Sequence, residues 1–349
     1  QTRVNKYSHH AGFHHLIKNK LLQMKKFRFA IISIVVLLFS FPVVAERLPM
    51  VPETLWDFGR ISGTQVSPDG GTVLFTVTTF DVKKNSSARD IYIVPVSGGQ
   101  PRNISNSPAN ESNVVWRPDG KRIGFLSSRR GEVQVWEMEP DGANHRQVTS
   151  VPGGITGFGY SPDMRHLFFT KRVKVETSPA DLHPDLNLSN VLIYDDLMFR
   201  HWDRWHDYKF SHIFIAPYND GAIGEPFNIM ENEPWDSPMP PFGGVEQISW
   251  LPDGSGLAYV SKKKRGKERA LSTDSDIYVF NLETRETTNL TPFNKGYDRD
   301  PVFSPDGRYM AWESMETPGF ESDKNRIMIM DLSNGTYRDF SEGFDQSSS

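Results

Sequence analysis

Cysteine is absent from this 349-residue sequence. Its absence excludes disulfide bonds, thiolate metal sites and a cysteine nucleophile, although it does not indicate a cellular compartment. The chain also lacks a strong excess of either charge, because its formal net charge is only −4. A nucleic-acid partner requires a concentrated basic surface. We therefore expect small or peptidic ligands and no nucleic acid.

Long apolar runs are scarce as well, and one stretch stands out near the amino end. Residues 30–44 are mostly apolar, follow Met24, Lys25 and Lys26, and lead to Val44 and Ala45. Basic, apolar and small-residue regions in this order predict a signal peptide at residues 24–45 and a periplasmic location. A membrane anchor is the alternative, but this run is shorter than the ~20 residues needed to span a bilayer. We expect residues 1–23 to be an over-extended upstream segment.

What the sequence does contain is a repeated four-residue turn. Proline at its second position presets φ, aspartate suits the third position, and glycine at the fourth completes a type I turn. The five copies are SPDG at 67–70, RPDG at 117–120, SPDM at 161–164, LPDG at 251–254 and SPDG at 304–307. These turns predict five hairpins.

Short apolar strands surround each turn. One strand precedes the turn, an alternating strand follows it, and a third strand and a more polar fourth strand ending in Ser or Thr complete each unit. Four antiparallel strands in each unit, repeated at this spacing, predict an all-β fold, namely a β-propeller of four-stranded blades spanning residues 46–349. We interpret Trp116, Trp136, Trp250 and Trp312 as blade-packing residues.

The turns are unevenly spaced, at intervals of 50, 44, 90 and 53 residues. The excess in the third interval lies mainly between the turn aspartate Asp163 and the third strand, which opens at His212. This predicts five blades, the third of which carries an insertion at about residues 172–210. The polar end of the chain favours an incomplete propeller of seven or eight blades, and a closed five-bladed propeller is the alternative.

Longer blocks of sequence resemble a known family. They are PETLWDFGRI at 52–61, YDDLMFRHWD at 194–203, PFGGVEQISW at 241–250 and ESDKNR at 321–326. Together with the repeated turns, these blocks resemble the amino-terminal propeller of serine peptidases in the prolyl oligopeptidase family, of the dipeptidyl peptidase 5 and acylaminoacyl peptidase type.

The resemblance implies an α/β-hydrolase domain with a Ser-Asp-His triad. Its nucleophile would lie on a Gly-x-Ser-x-Gly elbow, and no such motif occurs in these 349 residues. We therefore expect that domain downstream and no catalytic residue or cofactor here. The leading hypothesis is the substrate-gating propeller of a secreted exopeptidase acting on short peptides, and a homodimer is left open. The alternative is a non-catalytic periplasmic propeller that binds a protein partner.

The insertion contains the candidate substrate-binding residues Asp195, Asp196, Arg200, His201 and Trp202. The resemblance implies that acidic residues of such an insertion bind the free amino group of the peptide, although better-known members carry Glu where this chain has Asp. Carboxylates suit an ammonium group, which offers three hydrogen-bond donors. The alternative is that Asp and Arg side chains pair with one another to hold the insertion in place.

Two further groups of residues, three histidines and a basic run, do not predict a ligand site. His201, His206 and His212 are five and six residues apart, which does not fit a helical zinc pair, so we expect no metal site. The basic run at residues 262–267 joins two strands of the fourth unit. We interpret this run as a solvated hairpin loop.

Overall fold

A computed structural model describes residues 50–105 and 107–348. The predicted upstream segment and signal peptide lie outside this range. The chain divides into two compact units between Leu55 and Trp56, so the start of helix α1 (Pro52–Asp57) falls in the first unit and the sheets described below fall in the second. No helix among the described residues has the length and apolarity to cross a membrane.

Five antiparallel sheets follow one another along the chain, each with its strands in sequence order. Blade 1 contains β1 (Arg60–Val66), β2 (Thr72–Asp81), β3 (Ser86–Pro95) and β4 (Arg102–Asn103). Blade 2 contains β5 (Ser112–Trp116), β6 (Ile123–Ser127), β7 (Gln134–Met138) and β8 (Arg146–Gln147). Blade 3 contains β9 (Gly157–Tyr160), β10 (His166–Lys174), β13 (Lys209–Asn219), β14 (Ala222–Ile223) and β15 (Phe227–Asn228).

The last two blades have the same pattern. Blade 4 contains β16 (Ile248–Trp250), β17 (Gly256–Ser261), β18 (Asp276–Asn281) and β19 (Thr287–Asn289). Blade 5 contains β20 (Asp298–Phe303), β21 (Tyr309–Ser314), β22 (Arg326–Asp331) and β23 (Thr336–Asp339). The remaining elements are α2 (Pro179–Leu182), the hairpin β11 (Arg200–His201) and β12 (Arg204–Trp205), a 3-10 helix (Val245–Gln247) and α3 (Gly266–Leu271). The predicted all-β propeller architecture is confirmed.

The apolar core lies between neighbouring blades. Four clusters of buried side chains each combine residues of two consecutive blades, from blades 1 and 2 through to blades 4 and 5. Strand β10 shows the reason, because Leu167 packs into the cluster shared with blade 2 while the next residue, Phe168, packs into the cluster shared with blade 4. Side chains alternate between the two faces of a strand. Blades 2, 3 and 4 are therefore each buried on one face by the preceding blade and on the other by the following blade.

Side-chain hydrogen bonds stabilise the repeated turn. In blade 1 the Ser67 hydroxyl donates to Asp69 Oδ1 at 2.5 Å, and the backbone N–H of Gly71 donates to the same oxygen at 3.0 Å. Gly70 has a φ of 74°, in the left-handed region that glycine adopts without a steric penalty. The third copy has Met164 at this position with a φ of 59°. The turn geometry is thus kept even where the glycine is replaced.

In four blades a Ser or Thr two residues after the fourth strand closes the blade. Its hydroxyl accepts the backbone N–H of the residue fourteen positions earlier, which belongs to the third strand. The pairs are Ser105 with Ile91, Thr149 with Val135, Thr291 with Ile277 and Ser341 with Ile327, at 2.9–3.0 Å. The hydroxyl thus extends the strand ladder by one hydrogen bond beyond its last backbone pair.

Replacing Thr149 by valine tests this closing bond. Thr149 is 2% exposed, and valine keeps its shape but leaves the buried N–H of Val135 unpaired. We expect T149V to lower the free energy of unfolding by about 1–3 kcal/mol, measured by urea denaturation. The exposed Thr288 on β19 gives the control T288V, for which we expect less than about 0.5 kcal/mol. Equal urea midpoints for wild type and T149V would contradict a structural role for the hydroxyl.

Candidate functional site

The insertion of blade 3 is carried on a two-stranded ribbon. Strands β10 and β13 pair from His166 opposite Pro217 to Lys174 opposite Lys209, whereas β9 pairs with β10 only as far as Thr170. The last residues of β10 and the first of β13 therefore extend beyond the blade. The segment they enclose is 175–208, which is shorter at both ends than the predicted 172–210.

Strand direction places the insertion at a defined end of the blades. The repeated turns join first to second strands, whereas the insertion joins the second and third strands of blade 3. Because successive strands are antiparallel, the two kinds of connection lie at opposite ends. The loop that contains α3 joins the second and third strands of blade 4, so it lies at the same end as the insertion.

An aromatic cluster holds the insertion together. Tyr208 is buried, and its hydroxyl both accepts the N–H of Ile193 and donates to the Ile193 carbonyl, each at 2.9 Å. Tyr194 stacks on Tyr208 with ring centroids 5.7 Å apart, and its hydroxyl donates to the His206 carbonyl at 2.6 Å. These contacts fix the backbone immediately before Asp195.

The two adjacent aspartates have different surroundings in the structure. Both side chains are exposed. Asp196 Oδ1 accepts the N–H of Leu197 at 2.8 Å, and a methyl group placed on Gly266 would lie only 2.9 Å from that oxygen. Asp196 therefore packs against the first residue of α3 in blade 4. Within the described part of the chain, the Asp195 carboxylate has no hydrogen-bond or ion-pair partner.

The other three predicted residues belong to the β11–β12 hairpin. Arg200 Nε donates to the Trp202 carbonyl at 2.7 Å, and its guanidinium lies 5.4 Å from the centroid of the Trp205 ring. His201 is half-buried, with its ring edge-on to Trp202 at 5.5 Å. The predicted Arg200 thus binds backbone and an aromatic ring, so neither Asp195 nor Asp196 is paired with it.

Trp202 forms an exposed aromatic pair with Phe242. The rings meet edge to face at 5.1 Å, and the residues are 64% and 77% exposed. Trp202 also has a φ of 53°, which is unfavourable for a large side chain and costs about 1–3 kcal/mol. Strained residues of this kind cluster at ligand-binding sites. The aromatic pair is therefore suited to contact a ligand side chain.

Ion pairs fasten the base of the insertion. Arg172 on β10 pairs with Asp207, and His206 Nε2 lies 3.2 Å from Glu176 Oε2. The alternative that Asp and Arg side chains hold the insertion thus applies to Asp207, which the sequence analysis did not single out.

A buried aspartate beneath the insertion was also missed. Asp236 accepts the N–H of Ser211 at 2.8 Å and lies 3.3 Å from the guanidinium of Arg269, which packs over the Phe210 ring. Burial raises the pKa of the Asp236 carboxyl above its usual value. Asp236 lies within the proline-rich stretch at 233–241. No sequence pattern marked it, because its partner Arg269 lies 33 residues away.

The basic run at 262–267 lies in the connection between β17 and β18, as predicted, but the prediction that it is solvated is wrong for its first three lysines. Lys263 pairs with Glu233 at 2.8 Å, Lys264 pairs with Asp274 at 2.6 Å, and Lys262 donates to two backbone carbonyls. All three lysines are half-buried. The charges of Lys263 and Lys264 are therefore compensated by acidic partners, and the run leads into α3.

The three histidines do not converge. The buried His212 accepts the Asn228 amide at Nδ1 and donates from Nε2 to the Glu233 carbonyl, and its pKa is lowered by burial. Both ring nitrogens are therefore engaged. Within residues 50–105 and 107–348, no group of His, Asp or Glu side chains could hold a metal ion.

Comparisons with known proteins agree with the β-propeller architecture. Residues 58–193 match a family model described as the TolB beta propeller domain. The chain is 42% identical over 296 residues to dipeptidyl-peptidase 5 of Porphyromonas gingivalis, a match that covers 85% of this chain and 43% of that protein. This chain is homologous to part of dipeptidyl-peptidase 5. The predicted resemblance to peptidases of this type is confirmed.

Other relatives agree with this assignment. Dipeptidyl-peptidase 5 of Porphyromonas endodontalis is 39% identical over 281 residues, covering 80% of this chain and 40% of that protein. The chain therefore spans about two fifths of the length of the dipeptidyl-peptidase 5 relatives it matches. Among solved structures, an acylaminoacyl peptidase from Pyrococcus horikoshii superposes with a TM-score of 0.61 at 15% identity, over 86% of this chain and 42% of that one. This last likeness shows the fold alone.

Proposed function

We propose that this chain is the substrate-gating propeller portion of a secreted, periplasmic serine exopeptidase. The whole protein would remove dipeptides, or acylated residues, from the amino end of short peptides. The observation that carries the proposal is the 42% identity to a dipeptidyl-peptidase 5 over 296 residues. That match covers 85% of this chain, so it does not rest on the repeated turns of one blade alone.

The geometry of the insertion supports recognition of a free amino group. The Asp195 carboxylate is unpaired within the described residues, and the stack of Tyr194 on Tyr208 fixes the backbone immediately before it. A peptide ammonium carries three donors and one positive charge, which an unpaired carboxylate can accept. Arg200, His201 and Trp202 would border the site, with Trp202 and Phe242 offering an apolar contact to a peptide side chain.

Catalysis in this proposal belongs to a downstream α/β-hydrolase domain. The 349 residues contain no Gly-x-Ser-x-Gly motif, so the nucleophile and its triad partners would come from that domain. The propeller would admit short peptides and exclude folded proteins. Water excluded between the two domains would strengthen an ion pair at Asp195.

Purification of the full-length gene product tests the function. We expect it to release dipeptides from peptides with a free amino end and to react with a fluorophosphonate probe, which labels activated serines. Residues 46–349 alone should show neither reaction, because they lack the nucleophile. Probe labelling of residues 46–349 would overturn the domain assignment. A gene product without hydrolysis that instead co-purifies stoichiometrically with an envelope protein would favour the non-catalytic propeller.

A further inference from the structure

The connection from blade 3 to blade 4 contacts the loop that contains α3 at three places. Acidic and aromatic residues of the connection each meet a basic residue of the loop. The pairs are Glu233 with Lys263 at 2.8 Å, the Trp235 ring with the Arg265 guanidinium at 5.3 Å, and Asp236 with Arg269 at 3.3 Å. These contacts anchor the loop to the chain that leaves blade 3.

Asp236 contacts three segments that meet beneath the insertion. Its carboxylate accepts the N–H of Ser211 at 2.8 Å, and its backbone carbonyl accepts the Ser261 hydroxyl at 3.1 Å. Ser211 lies on β13, just after the insertion, and Ser261 ends β17, just before the loop that contains α3. Asp236 therefore links both of these strands to α3 through Arg269.

Arg269 anchors a helix that is otherwise mostly exposed. α3 has six residues and none of them is fully buried, so no apolar face holds it in place. The Arg269 guanidinium packs over the fully buried Phe210 ring at 5.2 Å and also pairs with Asp236, which is 8% exposed. An ion pair that is shielded from water is stronger than an exposed pair. Loss of one partner would leave the other charge unpaired.

The start of α3 contacts the residue next to Asp195, the proposed amine site. A methyl group placed on Gly266 would lie 2.9 Å from Asp196 Oδ1, so the close approach of the helix to Asp196 suits glycine. On the other side of Asp195, the Tyr194 hydroxyl donates to the His206 carbonyl at 2.6 Å. Asp195 thus lies between one residue fixed by the aromatic cluster and one residue held by α3.

We propose that Asp236 and Arg269 are positioning residues for the amine site: they hold α3 against Asp196 and thereby keep Asp195 where it accepts the ammonium group of a peptide. The inference rests on the proposed function. A purely structural role would weaken the binding of every ligand alike. Positioning of Asp195 instead affects ligands with a free amino group, because an acylated amino end forms no ion pair with a carboxylate.

Hydrogen exchange in the full-length protein tests the contact with α3 and requires no activity. Asp236→Asn keeps an acceptor oxygen but removes the charge that faces Arg269, and Arg269→Met removes the guanidinium. We expect backbone amides at 265–272 to exchange about tenfold faster in either variant, the scale of one lost charged hydrogen bond. Arg308→Met breaks the pair with Asp331 at the turn end of blade 5 and should leave these amides unchanged. Wild-type exchange rates in Asp236→Asn would overturn the proposal.

Calorimetric titration of the full-length protein tests the link to the amine site. The ligands are the dipeptide Ala-Phe and its N-acetylated form. For Asp236→Asn and Arg269→Met we expect the Kd of the free dipeptide to rise about tenfold, and that of the acetylated form to change by less than about twofold. Arg269→Lys retains the positive charge, so its Kd for the free dipeptide should stay within about threefold of the wild-type value.

The two ligands separate failure of this inference from failure of the proposed function. If both ligands bind more weakly to Asp236→Asn by the same factor, Asp236 only supports the fold and the inference is wrong. Equal affinity of the wild type for the two ligands would show that the amino group is not recognised, which contradicts the proposed amine site itself. Faster exchange at 265–272 together with selective loss of the free dipeptide would support the positioning role.

Discussion

If the full-length protein is the proposed peptidase, Asp195→Asn should lower its kcat/KM for peptides with a free amino end by roughly 30- to 300-fold. This is the scale for removing one partner of a desolvated charge pair. Asparagine keeps the shape of the side chain, so the effect reports the charge. A peptide whose amino end is acylated offers no ammonium, and its slower hydrolysis should stay unchanged or rise. Steady-state kinetics with the two matched peptides measure the difference.

The neighbouring carboxylate provides the matched control. Asp196 packs against Gly266 at the start of α3, so Asp196→Asn should change the hydrolysis of both peptides by less than about threefold. If Asp196→Asn rather than Asp195→Asn discriminates between the peptides, the assignment of the amine site is reversed. If Asp195→Asn lowers both activities together with the melting temperature, Asp195 has a structural role.

Trp312→Ala should destabilise the propeller by about 3–5 kcal/mol, the usual cost of removing a large buried aromatic side chain. Trp312 is 2% exposed and packs in the cluster between blades 4 and 5. Its Nε1 donates to Asp298 Oδ1 at 2.9 Å, so the substitution also deprives a buried carboxylate of a donor. Urea unfolding, followed by far-ultraviolet circular dichroism, measures the loss.

Two variants separate packing from hydrogen bonding at this position. Trp312→Phe retains most of the ring and loses the N–H, so we expect it to cost about 1–3 kcal/mol. Trp205→Ala, on the exposed hairpin of the insertion, should cost less than about 1 kcal/mol. Equal destabilisation by Trp312→Ala and Trp205→Ala would contradict the interpretation of Trp312 as a blade-packing residue.

The blades could be predicted from the sequence because the repeated residues form hydrogen bonds with residues that are close to them along the chain. In the three turns that begin with serine, the serine and aspartate bond within five residues, and in four blades the Ser or Thr after the fourth strand bonds fourteen residues back. Because these contacts join residues at short, fixed separations, the residues that make them recur in the sequence of each blade. Trp136, Trp250 and Trp312 are buried between blades as predicted, because strand alternation directs them there.

The site was only partly predictable. The sequence alone does not distinguish the roles of the adjacent residues Asp195 and Asp196. The structure distinguishes them because the first residue of α3 in blade 4 packs against Asp196. Lys263 is likewise half-buried beside Glu233, which lies 30 residues earlier in the sequence. Interactions between residues of different blades have no fixed separation along the sequence, so no sequence pattern predicts them.

Backbone hydrogen bonds tie the chain that leaves each blade to the third strand of that blade or to the residue before it. The donor and acceptor pairs are Glu111 and Arg89, Ile155 and Val133, Ser237 and Ser211, Asp298 and Ser275, and Ser348 and Asn325. Every acceptor carbonyl, from Arg89 to Asn325, emerges from the ribosome before the N–H that it binds. Each apolar cluster likewise joins a blade only to its immediate neighbour. A repeat structure with nearest-neighbour contacts can grow by propagation from one end. A blade that folds early can therefore serve as the surface against which the next blade packs, and the insertion of blade 3 separates the two strands that must pair before blade 4 can pack on them.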